Sequence, residues 1–135
     1  LLKLMHANQI DYTNLFRDLS NFNTASDTEN SILCDRFIDR AGFDKWATDY
    51  RERLCREPDT DSERKARMDA VNPKYILRNY LAQVAIEKAE KERDFSEIDR
   101  LLRLLGKPFD EHPEMEGYAA TPPEWARRIE VSCSS

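Results

Sequence analysis

Residues 75–105 read YILRNYLAQVAIEKAEKERDFSEIDRLLRLL, and the reading of this stretch decides the fold. It holds no Gly and no Pro. Leu77, Tyr80, Leu81, Val84, Ala85 and Ala89 fall at helical spacing and predict a helix from Tyr75 to about Glu92. Pro73 suits the first turn, where a missing N–H costs little. Ile98, Leu101, Leu102 and Leu105 recur at i, i+3, i+4, i+7 and predict a second helix. Asp94 and Glu97 stand at the spacing of a capping box, and Gly106 with Pro108 marks the end. Charged residues from Lys88 to Asp94 separate the two helices, which predicts an antiparallel αα-hairpin.

The same periodicity extends outward. Tyr12, Leu15, Phe16 and Leu19 form a stripe behind Asp11, whose carboxylate suits an N-cap. Residues 20–31, rich in Ser, Asn, Thr and Asp, read as a mobile loop. Ile32 to Ile38 reads as a short helix closed near Gly42. Phe43, Trp46, Ala47, Tyr50 and Leu54 line the next, which Pro58 ends. Ser62 to Val71 reads as a charged helix capped by Ser62 and stopped at Asn72-Pro73, because a residue before Pro is pushed out of the α region. Pro108, Pro113, Gly117, Pro122 and Pro123 break residues 107–123, and Pro122 or Pro123 opens a last short helix through Trp125 and Ile129. No alternating β pattern exceeds four residues and no internal repeat occurs. The expected fold is all-α, an irregular bundle of about six to eight short helices including the αα-hairpin, in a single region over residues 1–135.

Composition narrows the function classes. Of 135 residues, 40% are hydrophobic and 35% charged, with a net charge of −5. No apolar run approaches the length of a membrane span, so no membrane partner is expected. A helical nucleic-acid binder would use Arg64, Lys65, Arg67, Lys74 and Arg78. Asp61, Glu63 and Asp69 interleave with these residues, which argues against a nucleic-acid partner. Leu1-Leu2-Lys3-Leu4-Met5 reads as helical turns already under way, so an upstream part is expected to be missing. Val131-Ser132-Cys133-Ser134-Ser135 reads as a natural polar end, and residues 130–135 as a flexible tail carrying Cys133.

Few residue groups suggest chemistry. His6 and His112 are remote from each other, and Cys34, Cys55 and Cys133 show no paired ligand spacing, so no metal site is expected. Three cysteines without secretory features point to a reducing, cytoplasmic compartment. Cys34 and Cys55 lie in helical, apolar surroundings and read as small buried hydrophobes. Cys133, third from the end, reads as an accessible thiol whose chemistry matters more than its packing. Three isolated glycines make no phosphate-cradling loop. Asp110/Glu111 and Glu114/Glu116 read as solvated acids. Asn72-Pro73-Lys74-Tyr75 matches an N-P-x-Y adaptor motif but reads as the opening turn of a helix, with Tyr75 packed. The polar face at Arg78 and Asn79 is unusual for a core helix and suits bonds to loops or to a missing part.

Asn72-Pro73-Lys74-Tyr75-Ile76-Leu77-Arg78-Asn79-Tyr80-Leu81-Ala82-Gln83, with Ala85-Ile86 and Asp94-Phe95, resembles the C-terminal signature of the selenoprotein O (YdiU) family. So do Pro122-Pro123-Glu124-Trp125-Ala126, the tail through Ser135, Ile10-Asp11-Tyr12-Thr13 and Phe16-Arg17-Asp18-Leu19-Ser20. The resemblance implies the C-terminal part of a kinase-like protein that uses ATP with Mg²⁺ or Mn²⁺ to transfer AMP to Ser, Thr or Tyr of protein substrates. The family's nucleotide loop, ion-pair Lys and Glu, and catalytic and metal-binding residues match no position here. No catalytic, cofactor-binding or metal-binding residue is therefore assigned to this segment, and its partner is the upstream kinase-like domain. Cys133 matches the position of the animal members' selenocysteine, which implies a redox role with a cysteine of the kinase-like part. The rival reading is an autonomous α-helical interaction or regulatory module without enzymatic activity. Bared apolar surface, through which an isolated copy could dimerise, separates a severed lobe from a self-contained module.

Overall fold

The Asp11 carboxylate accepts a hydrogen bond from the Asn14 backbone N–H at 2.9 Å, as its place before the first strong stripe predicts. In the computed structural model, which describes residues 1–26 and 28–129, this cap opens α2 (Tyr12–Asp18), behind α1 (Leu2–Ala7). The order continues with α3 (Ser31–Cys34), α4 (Arg40–Leu54), α5 (Asp61–Asp69), α6 (Asn79–Glu92) and α7 (Ser96–Leu105). Four 3₁₀ turns lie at Leu19–Asn21, Thr28–Asn30, Pro113–Ala119 and Glu124–Arg128. The described residues contain no strand, and the fold is all-α. They form two compact units, Leu1–Asn72 and a second from Pro73 onward.

In the first unit the stripe of α4 decides the packing. Phe43, Ala47 and Leu54 are buried, joined by Met5, Leu15, Leu19, Phe22, Leu33 and Phe37. Trp46 and Tyr50 stack at 4.9 Å between centroids, and Phe22 meets Tyr50 edge-on at 5.0 Å. Both arrangements suit the ring quadrupoles.

Several boundaries differ from the sequence expectation. Helix α3 ends at Cys34 rather than Ile38. Gly42 closes nothing: it lies in the first turn of α4, where its N–H donates to the Asp39 carboxylate at 2.9 Å. A Cβ at position 42 would stand 2.8 Å from Asp39 Cγ and 3.0 Å from Leu4 Cδ1, so glycine leaves room for the cap. Thr60, not Ser62, caps α5. The Thr60 hydroxyl accepts from the Glu63 N–H while the Glu63 carboxylate accepts from the Thr60 N–H, a reciprocal capping box.

The loop after α2 is pinned rather than loose. Asn30 is buried and accepts from the Asn23 N–H at 2.8 Å, while its amide donates to the Asn23 and Ser26 carbonyls. The buried Arg64 guanidinium donates to the Phe22 carbonyl and, at 2.5 Å, to Asp61. Asp61 in turn accepts from the Thr24 N–H and hydroxyl.

In the second unit the hairpin forms as expected. Helices α6 and α7 pack through Leu81, Ala85 and Leu101, and Lys88 reaches Glu97 at 3.2 Å. These contacts join residues of falling number on α6 to rising number on α7, so the helices run antiparallel. Arg93 makes the turn in the left-handed region, φ 55°.

Candidate functional site

The signature stretch that carries the family resemblance does not open a helix. Residues 75–78 belong to no helix, Arg78 is extended, and α6 starts at Asn79, four residues later than the periodicity predicts. The Lys74 and Tyr75 N–H groups both donate to the Pro108 carbonyl, at 2.8 and 3.1 Å, which ties the start of the stretch to a residue far along the chain. The Tyr75 ring is buried with Leu104 and Met115, so its expected packing holds although its expected helix does not. Its hydroxyl donates to the His112 carbonyl at 3.2 Å and accepts from the His112 N–H at 3.3 Å. Burial pushes the Tyr75 hydroxyl above its ordinary value, against the hydrogen bond at His112.

Lys74 fastens the same place from outside. Its ammonium contacts Glu111 at 2.5 Å and Glu116 at 2.6 Å. Burial opposes the charged form, but the hydrogen bonds to both carboxylates outweigh it and hold Lys74 above the usual lysine value. Glu111 and Glu116 are largely exposed, as read from the sequence, and both also pair with Lys74.

A second cluster surrounds Glu97, which was expected to reach back as a cap. Instead Asp94 accepts from the Ser96 N–H at 2.9 Å, and α7 starts after Phe95 without a side-chain cap. Glu97 is buried and accepts from Tyr118 at 2.5 Å, Arg100 at 3.0 Å and Lys88 at 3.2 Å. Burial alone would raise its pKa; these donors, Tyr118 foremost, lower it below the ordinary carboxylate value. The signal was present in the sequence: Glu97 shares one helix face with Leu101 and Leu104, at i+4 and i+7.

The other singled-out residues stay apart. Cys34 is half-buried in a groove of about 380 Å³ with Arg40, Asp44 and Arg51, and Cys55 is exposed at the end of α4. Neither is the fully buried hydrophobe expected. Burial first, then the Asp44 carboxylate, raises the Cys34 thiol above its usual value, which disfavours the reactive thiolate. Cys133 lies outside the described residues. Arg64, Lys65, Arg67 and Lys74 each pair with carboxylates, at Asp61, Asp69, Asp59 and the two acids already named.

Among the described residues no three His, Cys, Asp or Glu side chains gather to hold a metal ion, and no helix is long and apolar enough to cross a membrane. No glycine among the described residues adopts positive φ; Gly42 lies in α4, Gly106 follows α7 and Gly117 lies in the Pro113–Ala119 turn.

The family model for "Protein adenylyltransferase SelO" matches residues 1–105. The chain belongs to the SelO family. It is similar to "Protein nucleotidyltransferase YdiU" of Cupriavidus pinatubonensis, at 51% identity over 135 residues, which is all of this chain and 26% of the relative. The protein of the same name from Thiobacillus denitrificans is 54% identical over 134 residues, 99% of this chain and 28% of the relative. The chain thus spans about a quarter of the length of these SelO-family relatives. That share agrees with the expectation of a C-terminal part of a larger protein.

Proposed function

We propose that this chain is the non-catalytic, C-terminal helical region of a cytoplasmic, kinase-like protein adenylyltransferase. The larger part of that protein transfers AMP from ATP, with Mg²⁺ or Mn²⁺, to hydroxyls of protein substrates. The observation that carries the reading is the pairing of high identity with short coverage: 51% identity to a nucleotidyltransferase over only 26% of its length. The region's role is to support the catalytic part and to carry Cys133 to a cysteine there.

Calorimetry of the purified chain with ATP and Mg²⁺ tests the first half. No saturable heat is expected, and tight saturable binding overturns it. The redox half is tested in a chimera, the C. pinatubonensis protein with its matched quarter replaced by these 135 residues. Diamide oxidises two thiols to one disulfide, taking up two electrons and two protons. Peptide mass spectrometry should then find Cys133 cross-linked to a cysteine of the larger part. A Cys133 that stays a free thiol overturns this role.

A further inference from the structure

We propose that the outer face of α7, formed by Phe95, Ile98 and Leu102, is the docking surface for the part of the longer SelO-family protein that this chain does not span. The inference deepens the functional reading and rests on it for the identity of the occupant.

At about 100° per residue, Leu104, Leu101, Leu105, Ile98, Leu102 and Phe95 succeed one another around the helix. They make an apolar arc over about half its circumference, interrupted only by the buried Glu97 between Leu104 and Leu101. Only one side of that arc is covered. Leu104 and Leu101 are 1% and 7% exposed, against Tyr75, Met115, Leu81 and Ala85. Ile98, Leu102 and Phe95 are 36%, 66% and 58% exposed. Single exposed apolar side chains are ordinary, but a row at i, i+3, i+7 that continues a buried face is a half-used interface.

Size and charge select the occupant. The row spans about 10 Å, two turns of helix. Three side chains fall far short of the roughly 800 Å² per partner that a stable dimer buries, so a second copy is disfavoured. The nearest exposed charges on α7 are Asp99 and Arg103, of opposite sign, which does not suit an anionic membrane surface. A segment of the same polypeptide pays little association entropy, so a small patch suffices. The relatives carry nearly three further lengths of chain to provide it.

The test uses the full-length chimera described above. Ile98→Cys and Leu102→Cys are compared with Asp99→Cys, on the charged side of α7, by the rate of maleimide addition read at each peptide. Positions 98 and 102 should react about tenfold or more slowly than position 99. Equal rates overturn the proposal. So does protection that vanishes on dilution, which would make a second copy the occupant. Hydroxyl-radical footprinting of Phe95 and Leu102 in the unsubstituted chimera reads the same surface without a mutation. AMP transfer is measured separately. Protected positions in a chimera that transfers no AMP leave the docking surface standing and overturn the functional reading; reactive positions in an active chimera do the reverse.

Discussion

The Tyr118 hydroxyl donates to the buried Glu97 carboxylate at 2.5 Å, tying the Pro113–Ala119 turn to the first turn of α7. Because Glu97 also receives Lys88 from α6, one carboxylate joins three elements of the second unit. Glu97→Gln is expected to cost about 1–3 kcal/mol, since it weakens charge-assisted bonds and leaves donors poorly matched. Tyr118→Phe is expected to cost about 1 kcal/mol. Urea unfolding followed by circular dichroism measures both. Changes below about 0.3 kcal/mol would show that the cluster is incidental.

The same carboxylate sets a pH dependence. Its folded-state pKa lies below the ordinary value, so its contribution is complete above the usual carboxylate range and fades as pH falls through the folded value. The stability gap between the natural chain and Glu97→Gln should be full at pH 7 and shrink toward about pH 3. A gap that is constant across this range contradicts the assignment.

Gly42 offers a test in which the sign reverses. Alanine favours helix by about 1 kcal/mol over glycine. Here its Cβ would stand 2.8 Å from Asp39 Cγ, displacing the cap of α4 and pressing on Leu4. Gly42→Ala should therefore destabilise the natural chain yet stabilise an Asp39→Ala variant. Thermal unfolding of the four-member cycle decides it, and additive effects would refute the steric account.

Tyr75 anchors the signature stretch from within. Tyr75→Ala should cost about 3–5 kcal/mol through the cavity it leaves. Tyr75→Phe should cost about 1 kcal/mol through the lost pair of bonds at His112. If Tyr75→Phe costs as much as Tyr75→Ala, the ring's burial is not what holds residues 73–78.

Cys34 and Cys55 should differ in reactivity. Cys55 is exposed, whereas burial and the Asp44 carboxylate disfavour the Cys34 thiolate. Ellman's reagent should modify Cys55 about tenfold faster. A faster Cys34 would mean that Arg40 dominates its groove.

The helices lined by unbroken apolar stripes were legible, because periodicity reports which face is buried. Helices α4, α6 and α7 and the hairpin follow from it. What local pattern does not contain is a partner far along the chain. The Pro108 carbonyl accepts from the N–H groups of Lys74 and Tyr75, and α6 begins only at Asn79, although Leu77 and Tyr80 keep helical spacing. Likewise Arg64 reaches back to Phe22 and pins a loop whose composition suggests mobility. The Thr60–Glu63 box is readable as T-x-x-E, but Ser62, two residues on, offers the same hydroxyl and masks it. Of the candidate site, the Tyr75 anchor was legible, whereas the Glu97 cluster was not, because a capping spacing concealed a buried face.

The most direct measurement of the central claim is AMP incorporation by mass spectrometry, with ATP and Mg²⁺ or Mn²⁺. The 135-residue chain alone is compared with the chimera in which it replaces the matched quarter of the C. pinatubonensis protein. The account predicts no AMP on any protein from the chain alone and modification by the chimera. AMP transfer by the isolated chain would contradict it.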